Sequence, residues 1–183
     1  MSRLPELTRE QIAPGHRPIW DRIAGTRQGV WGPYQVLMHV PPLAEPVAAV
    51  GEYLRFHGML PGADRELAII TAARENGSQY EWAIHEPVAR AEGTSDRAIE
   101  TVCSGGSLDA LTSRERLIVE VVRTLYRDHA LSDELFDGAV TTFGHEQTVE
   151  LVTIVGFYNL LAFVLQGFAV PLPEGTPPGF ADP

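Results

Sequence analysis

Glu81 and His85 stand four residues apart in Ser78-Gln79-Tyr80-Glu81-Trp82-Ala83-Ile84-His85. A helix there places an acid and an imidazole on one face. Glu66 lies in Arg65-Glu66-Leu67-Ala68-Ile69-Ile70, on the preceding predicted helix. All three have apolar neighbours, where such groups are costly unless they are paired or used. A carboxylate and a histidine held in that way are suited to moving protons. His85 is the candidate catalytic acid, because an unperturbed imidazole titrates at about pH 6.5. Glu81 is placed to hold that imidazole or to act as a base, and Glu66 to complete a relay. Arg65 and Arg55 are the arginines nearest in sequence that could clamp a substrate carboxylate. Tyr80 and His39 are candidate supporting donors.

Each of these positions also has a plainer reading. Ser78-x-x-Glu81 fits a capping box, in which serine and glutamate satisfy the first backbone amides of a helix. That accounts for much of the signal at Ser78 and Glu81 and for none at His85. Glu66, Glu81 and His85 are suitable metal ligands. The chain has no Glu-x-x-His or His-Glu-x-x-His arrangement of them, so no metal is expected. His16 and His145 sit in polar segments, and His57 and His129 at predicted helix ends, where a positive charge suits the dipole.

The elements that must position these residues read as helices. Apolar residues recur at period 3.6 and no convincing strand alternation occurs. Helices are expected over Pro18 to Ile23, Pro33 to His39, Pro42 to Phe56 and Gly62 to Arg74. Another runs from the Ser78 cap to about Gly93 and bends at Pro87. Further helices run from the Ser95 cap through Val102, from the Thr112-x-x-Glu115 capping box to Asp128, from Ser132 to Phe143 and from His145 to Phe168. Gly25 to Pro33 reads as a loop. The segment from Pro171 reads as a proline-rich arm over the surface or a neighbouring subunit. No domain boundary is evident, so one all-α domain over residues 1–183 is expected.

Composition narrows the chemistry. The 183 residues carry a formal net charge of -10, which argues against nucleic acid and anionic membrane as partners. All 14 basic residues are arginine. Without lysine there is no Schiff-base amine and no P-loop lysine. Cys103 is the single cysteine, so two-cysteine redox chemistry within one chain is excluded and a reducing cytoplasm fits. The opening Met1 to Leu7 has no apolar core of a signal peptide. The apolar stretch from Leu151 to Val170 reads as a buried core helix and no membrane span is expected.

Three segments together carry a family resemblance: Arg65-Glu66-Leu67-Ala68, then Gly77-Ser78-x-Tyr80-Glu81-Trp82-x-x-His85, then Val149-Glu150-Leu151-Val152 leading to Tyr158-Asn159. The sequence resembles the carboxymuconolactone decarboxylase family, which includes alkylhydroperoxidase D-like proteins. The resemblance implies an alkylhydroperoxidase D-like helical bundle that assembles into trimers or hexamers. It also implies pocket roles for Ser78, Tyr158 and Asn159. In the peroxidase branch a glutamate is followed by Cys-x-x-Cys and then a histidine. Glu66 and His85 match that glutamate and histidine, while Ser78 and Glu81 stand where the cysteines would be. Serine and carboxylate form no disulfide, so peroxidase activity of that type is not expected. The resemblance implies instead a cofactor-free, decarboxylase-like lyase acting on a small organic acid or lactone. Isomerisation, hydration or retro-aldol cleavage of a carbonyl acid needs the same residues, and a non-catalytic, ligand-binding member of the family is the alternative from another class.

Overall fold

The computed structural model describes residues 2–180. The last part of the proline-rich arm, residues 181–183, lies outside the described residues. Among the described residues eight α-helices are formed: α1 (Arg17–Arg27), α2 (Pro33–Leu37), α3 (Pro41–Glu52), α4 (Gly62–Glu75), α5 (Gln79–Ala91), α6 (Asp96–Ser104), α7 (Ser113–Asp128) and α8 (Asp133–Gly167). A single π-helical turn, Tyr53–His57, continues α3. No strand occurs among the described residues, and the fold is all-α as expected.

Local chemistry explains where the helices begin. Pro18, Pro33 and Pro41 open α1, α2 and α3 within their first two positions, where the missing N–H costs nothing. Ser78, Ser95, Thr112 and Ser132 precede α5, α6, α7 and α8, and each side chain accepts from the backbone N–H three residues on. Thr112 and Glu115 form the full capping box read from the sequence. The first helix corrects the expected loop from Gly25: α1 continues to Arg27 before Gln28 ends it at φ 56°. Ile23 and Ala24 pack in the N-terminal apolar cluster, and their burial outweighs the roughly 1 kcal/mol helix penalty of a glycine. In α8, Gly144 is non-helical (φ 77°, ψ 169°), so the two helices read from the sequence meet there at a kink.

Helix α4 is the centre of the larger core. Glu66 through Ala73 are all buried, and α4 packs against α5, α6, α7 and α8. A smaller cluster joins α1, α2 and α3, and Val47 bridges the two. Helix α8 is long and apolar enough to cross a membrane by length and composition. Its Leu151, Ile154, Tyr158, Leu161 and Leu165 are nevertheless buried at helical spacing, as a core helix requires. Its other flank exposes Val149, Leu160 and Phe163.

The proline-rich arm returns to its own chain. Phe180 is buried edge-on against Trp82, with ring centroids 5.4 Å apart, and lies under the Arg74 guanidinium. Gln79 fixes the arm at both backbone polarities: its Nε2 donates to Phe180 O (2.7 Å), and its Oε1 accepts from Gly179 N (2.9 Å). Gly179 must lack a side chain, because a Cβ there would lie 2.0 Å from the Trp82 ring. We expect Phe180→Ala to destabilise the protein by about 3 kcal/mol, as for other buried phenylalanines. Urea unfolding measures this; a loss below about 1 kcal/mol would show that the arm is not seated in solution.

Candidate active site

Glu66 and His85 face each other across the α4–α5 contact. The Glu66 Oε2 to His85 Nδ1 distance is 2.7 Å, and the His85 Nε2 to Tyr158 hydroxyl distance is 3.2 Å. The Glu81 carboxylate lies 3.6 Å from the same Nε2, beyond hydrogen-bond reach. Relative exposures are 1% for Glu66, 3% for His85, 4% for Glu81 and 2% for Tyr158. Three helices therefore contribute: α4 gives Glu66, α5 gives Glu81 and His85, and α8 gives Tyr158.

The protonation pattern follows from the environments. Burial works against ionising Glu66, but the His85 hydrogen bond and charge, together with Arg65, outweigh it and hold this carboxyl below its usual range. An ionised Glu66 only accepts, so Nδ1 of His85 carries a proton. Burial, and after it the Glu81 charge, push the Tyr158 hydroxyl well above its ordinary range, so it stays a donor. In the neutral imidazole, Nε2 then accepts from Tyr158 and is the basic atom. Burial pushes Glu81 upward, against the opposing influence of His85 and Arg55. Two carboxyls beside one imidazole, at 2.7 Å and 3.6 Å, are thus driven apart, one kept charged and one biased towards its acid form.

Ser78 accepts from the Glu81 backbone N–H at 3.4 Å, but the cap is one-way. The Glu81 side chain turns to His85 instead of closing the box, so capping explains Ser78 and leaves the Glu81 carboxylate unaccounted for.

His85, Glu81 and Tyr158 line a cavity of about 400 Å³. Tyr34, Phe56, Tyr80 and Phe157 supply aromatic walls, and Trp31 lies at its edge, 62% exposed. The Tyr80 hydroxyl is pushed up to about 12, mainly by burial. Two guanidiniums also reach the cavity, from Arg27 and Arg55. Arg27 is committed: it donates to Thr26 Oγ1 (2.7 Å), the Tyr34 hydroxyl (3.2 Å) and Ala48 O (3.0 Å). Arg55 stands on the π-helical turn, over the Phe56 ring, and forms no hydrogen bond or ion pair among the described residues. Single π turns inside helices recur at functional sites. This one is tied down by buried Glu150, which accepts from the Tyr53 hydroxyl (2.8 Å) and from the backbone N–H of Met59 (2.7 Å) and Leu60 (3.0 Å).

Other residues singled out in the sequence lie elsewhere. Arg65 lines neither this cavity nor its neighbour; it pairs with Glu66 Oε1 (3.1 Å) and Glu92 (3.5 Å) behind the dyad. His39 donates from Nε2 to Pro5 O (3.0 Å) and lines a separate outer cavity. Ser78 is buried at the start of α5, outside both cavities. Asn159 is half-buried and lines neither. Among the described residues no three His, Cys, Asp or Glu side chains are grouped to hold a metal ion.

The chain has similar counterparts among known proteins. The sequence model of the Carboxymuconolactone decarboxylase family matches residues 41–124, the segment that carries Arg55, Glu66, Glu81 and His85. No protein of curated function matches the sequence. An uncharacterized peroxidase-related protein from Ralstonia eutropha JMP134, described as an alkylhydroperoxidase AhpD core, superposes with a TM-score of 0.78 at 16% identity, covering 94% of this chain and 93% of that one. A peroxidase-related protein from Silicibacter sp. TM1040 gives 0.74 at 13% identity, over 96% and 93%. A putative antioxidant defence protein AhpD from Agrobacterium tumefaciens gives 0.64 at 21% identity, over 75% and 94%. These likenesses show an alkylhydroperoxidase D-like fold.

The opposed carboxyls give opposite stability effects. Glu66 is depressed in the folded state, so its stabilisation is present above the unfolded carboxylate range and lost as pH falls through the folded value. Glu81 is raised, so the folded state is penalised as pH climbs above the unfolded range. At pH 7 we expect Glu66→Gln to cost about 1–3 kcal/mol and Glu81→Gln to raise the melting temperature by about a few degrees. Near about pH 4 the Glu81→Gln gain should vanish. Thermal unfolding at both pH values reads this, and an unchanged melting temperature for Glu81→Gln at pH 7 would contradict it.

Proposed function

We propose that this protein is an acid–base enzyme of lyase type that decarboxylates a small organic acid or lactone-derived acid. The observation that carries the reading is the buried chain Glu66–His85–Tyr158, with Glu81 beside its basic nitrogen, opening into a cavity that also holds a cation.

The step runs as follows. A guanidinium on the cavity wall orients the substrate carboxylate. The bond from that carboxylate to the neighbouring carbon breaks, releasing carbon dioxide, and its electron pair passes into an adjacent carbonyl as an enolate. The Tyr158 hydroxyl turns its one proton from His85 Nε2 to the enolate oxygen. One proton then goes to carbon from the acid form of Glu81, or from Nε2 of His85 in its imidazolium form, and a proton from water restores the donor. Glu66 holds the imidazole in the required tautomer and stabilises the imidazolium, as a buried carboxylate does behind other catalytic histidines. These residues supply every proton and charge that the step requires, so the reading calls on no cofactor.

The redox chemistry suggested by the names of the similar structures is not carried over. Position 78 is a serine and position 81 a carboxylate, and Cys103 lies on α6, with its thiol at 3.4 Å from Gly179 O. The reading includes a reducing cytoplasm as the compartment and self-association as a trimer or hexamer. The exposed apolar residues of α8 and the neighbouring Val50, Tyr53 and Met59 support the latter.

Release of carbon dioxide from a panel of lactones and keto acids is the direct test. We expect His85→Asn to lower kcat by about 10²–10⁴-fold while circular dichroism is unchanged. A folded His85→Asn protein that turns over normally overturns the assignment. Hydroperoxide reduction by the parent protein is expected to be absent. Light scattering should give a mass that is a multiple of the 20.1 kDa chain; a monomer would remove the assembly from the reading.

A further inference from the structure

The active cavity is not the end of the available space. A second cavity of about 530 Å³ lies outside it, under the N-terminal segment and the start of the proline-rich arm. Trp31, Tyr80 and Ile84 line both spaces, so the two adjoin across these side chains. The outer space is walled largely by apolar groups, among them Leu4, Pro5, Val36, Val170, Pro171 and Leu172. It is a constructed feature of the fold. Gln35 binds both backbone groups of Leu7, with Oε1 accepting from Leu7 N (2.9 Å) and Nε2 donating to Leu7 O (3.2 Å). His39 holds Pro5, and the Arg3 N–H donates to Phe168 O at 2.8 Å. The partition is shaped by glycine: Gly32 sits at φ 55°, and a Cβ there would lie 2.7 Å from the Tyr80 ring.

The inner cavity differs in one respect. Arg55 is its uncommitted cation among the described residues, whereas Arg27 is occupied by three oxygen acceptors. A guanidinium that lies over Phe56 and acts on Glu81 only through its charge, with no hydrogen bond or ion pair among the described residues, keeps its donors for an anion. The space next door is mostly apolar in its walls and takes hydrocarbon, with Ser2, Glu6, Gln35, His39 and Glu174 as the polar part of its lining.

We propose that the two cavities form one bipartite site for an amphipathic carboxylic acid, whose carboxylate binds Arg55 in the inner cavity and whose apolar chain or ring passes Trp31 and Tyr80 into the outer one. This deepens the acid–base reading and rests on it for the reaction, while the binding itself is separable from turnover. Among small acids it favours those that carry an apolar tail or ring. It also gives the N-terminal segment and the arm a role as walls of the tail pocket.

The test is calorimetric binding of straight-chain carboxylates from butanoate to dodecanoate, with dodecanol as the uncharged control, at pH 7.5. Affinity should rise by roughly threefold per added methylene until the outer cavity is full. Arg55→Gln should weaken decanoate binding by about tenfold or more and leave dodecanol binding unchanged. Leu172→Trp, which fills the outer cavity, should weaken decanoate binding but not butanoate binding. A chain-length series without slope, or full decanoate affinity in a folded Arg55→Gln protein, overturns the proposal. His85→Asn keeps binding under this proposal, so loss of turnover in that variant bears on the acid–base reading alone.

Discussion

The short contact between Glu66 and His85 is the constraint on which the rest of the site depends. A buried carboxylate is tolerable only with opposite charge and hydrogen-bond donors around it. Here they come from His85 on one side and Arg65 on the other. Because the partners sit on consecutive helices, the pair also fixes how α5 is rotated against α4. Ser78 sets where α5 begins, and that start determines the phase at which Glu81 and His85 emerge. Tyr158 then meets His85 edge-on, with ring centroids 5.1 Å apart, and ties α8 to the same point.

Much of this was legible in the residues, for reasons that differ from element to element. Period-3.6 burial, serine caps and glycine stops act locally, so the helices and the break at Gly144 could be read directly. The i,i+4 pair Glu81–His85 needed only helical geometry. Arg65 was misleading as a clamp because it is adjacent to Glu66 in sequence. Adjacent helical residues diverge by about 100°, and Arg65 covers the back of the carboxylate. His39 and Asn159 lie off the cavity for the same kind of reason, since sequence neighbourhood with apolar residues does not give direction. Arg55 was legible in the sequence only as the second of two candidate clamps, beside Arg65. Its importance comes from the π turn and from the Glu150 carboxylate that secures the following loop from α8, ninety-one residues from Met59, which no local pattern encodes. Arg27 and Tyr34 likewise reach the cavity through the packing of α1 and α2 against α3 and α8. The close approach of α3 there depends on Gly51, where a Cβ would lie 2.8 Å from both Phe157 and the Tyr34 hydroxyl.

The likeness to peroxidase-related structures is one of fold, and a fold leaves the chemistry to the residues of its site. In this chain positions 78 and 81 are serine and glutamate. Serine keeps the cap, and the glutamate becomes the residue whose charge the site resists.

The docked arm has a consequence for how the dyad meets water. Phe180 seals the Trp82 side of α5, while Arg65 and Glu92 close the rear of Glu66. Among the described residues the way to His85 is through the cavity face that Tyr158 and Glu81 share with it. A ligand that fills the cavity stands in that doorway. Protons on His85 then trade slowly with bulk solvent, and the charge state set before the ligand enters is the one that persists while it stays.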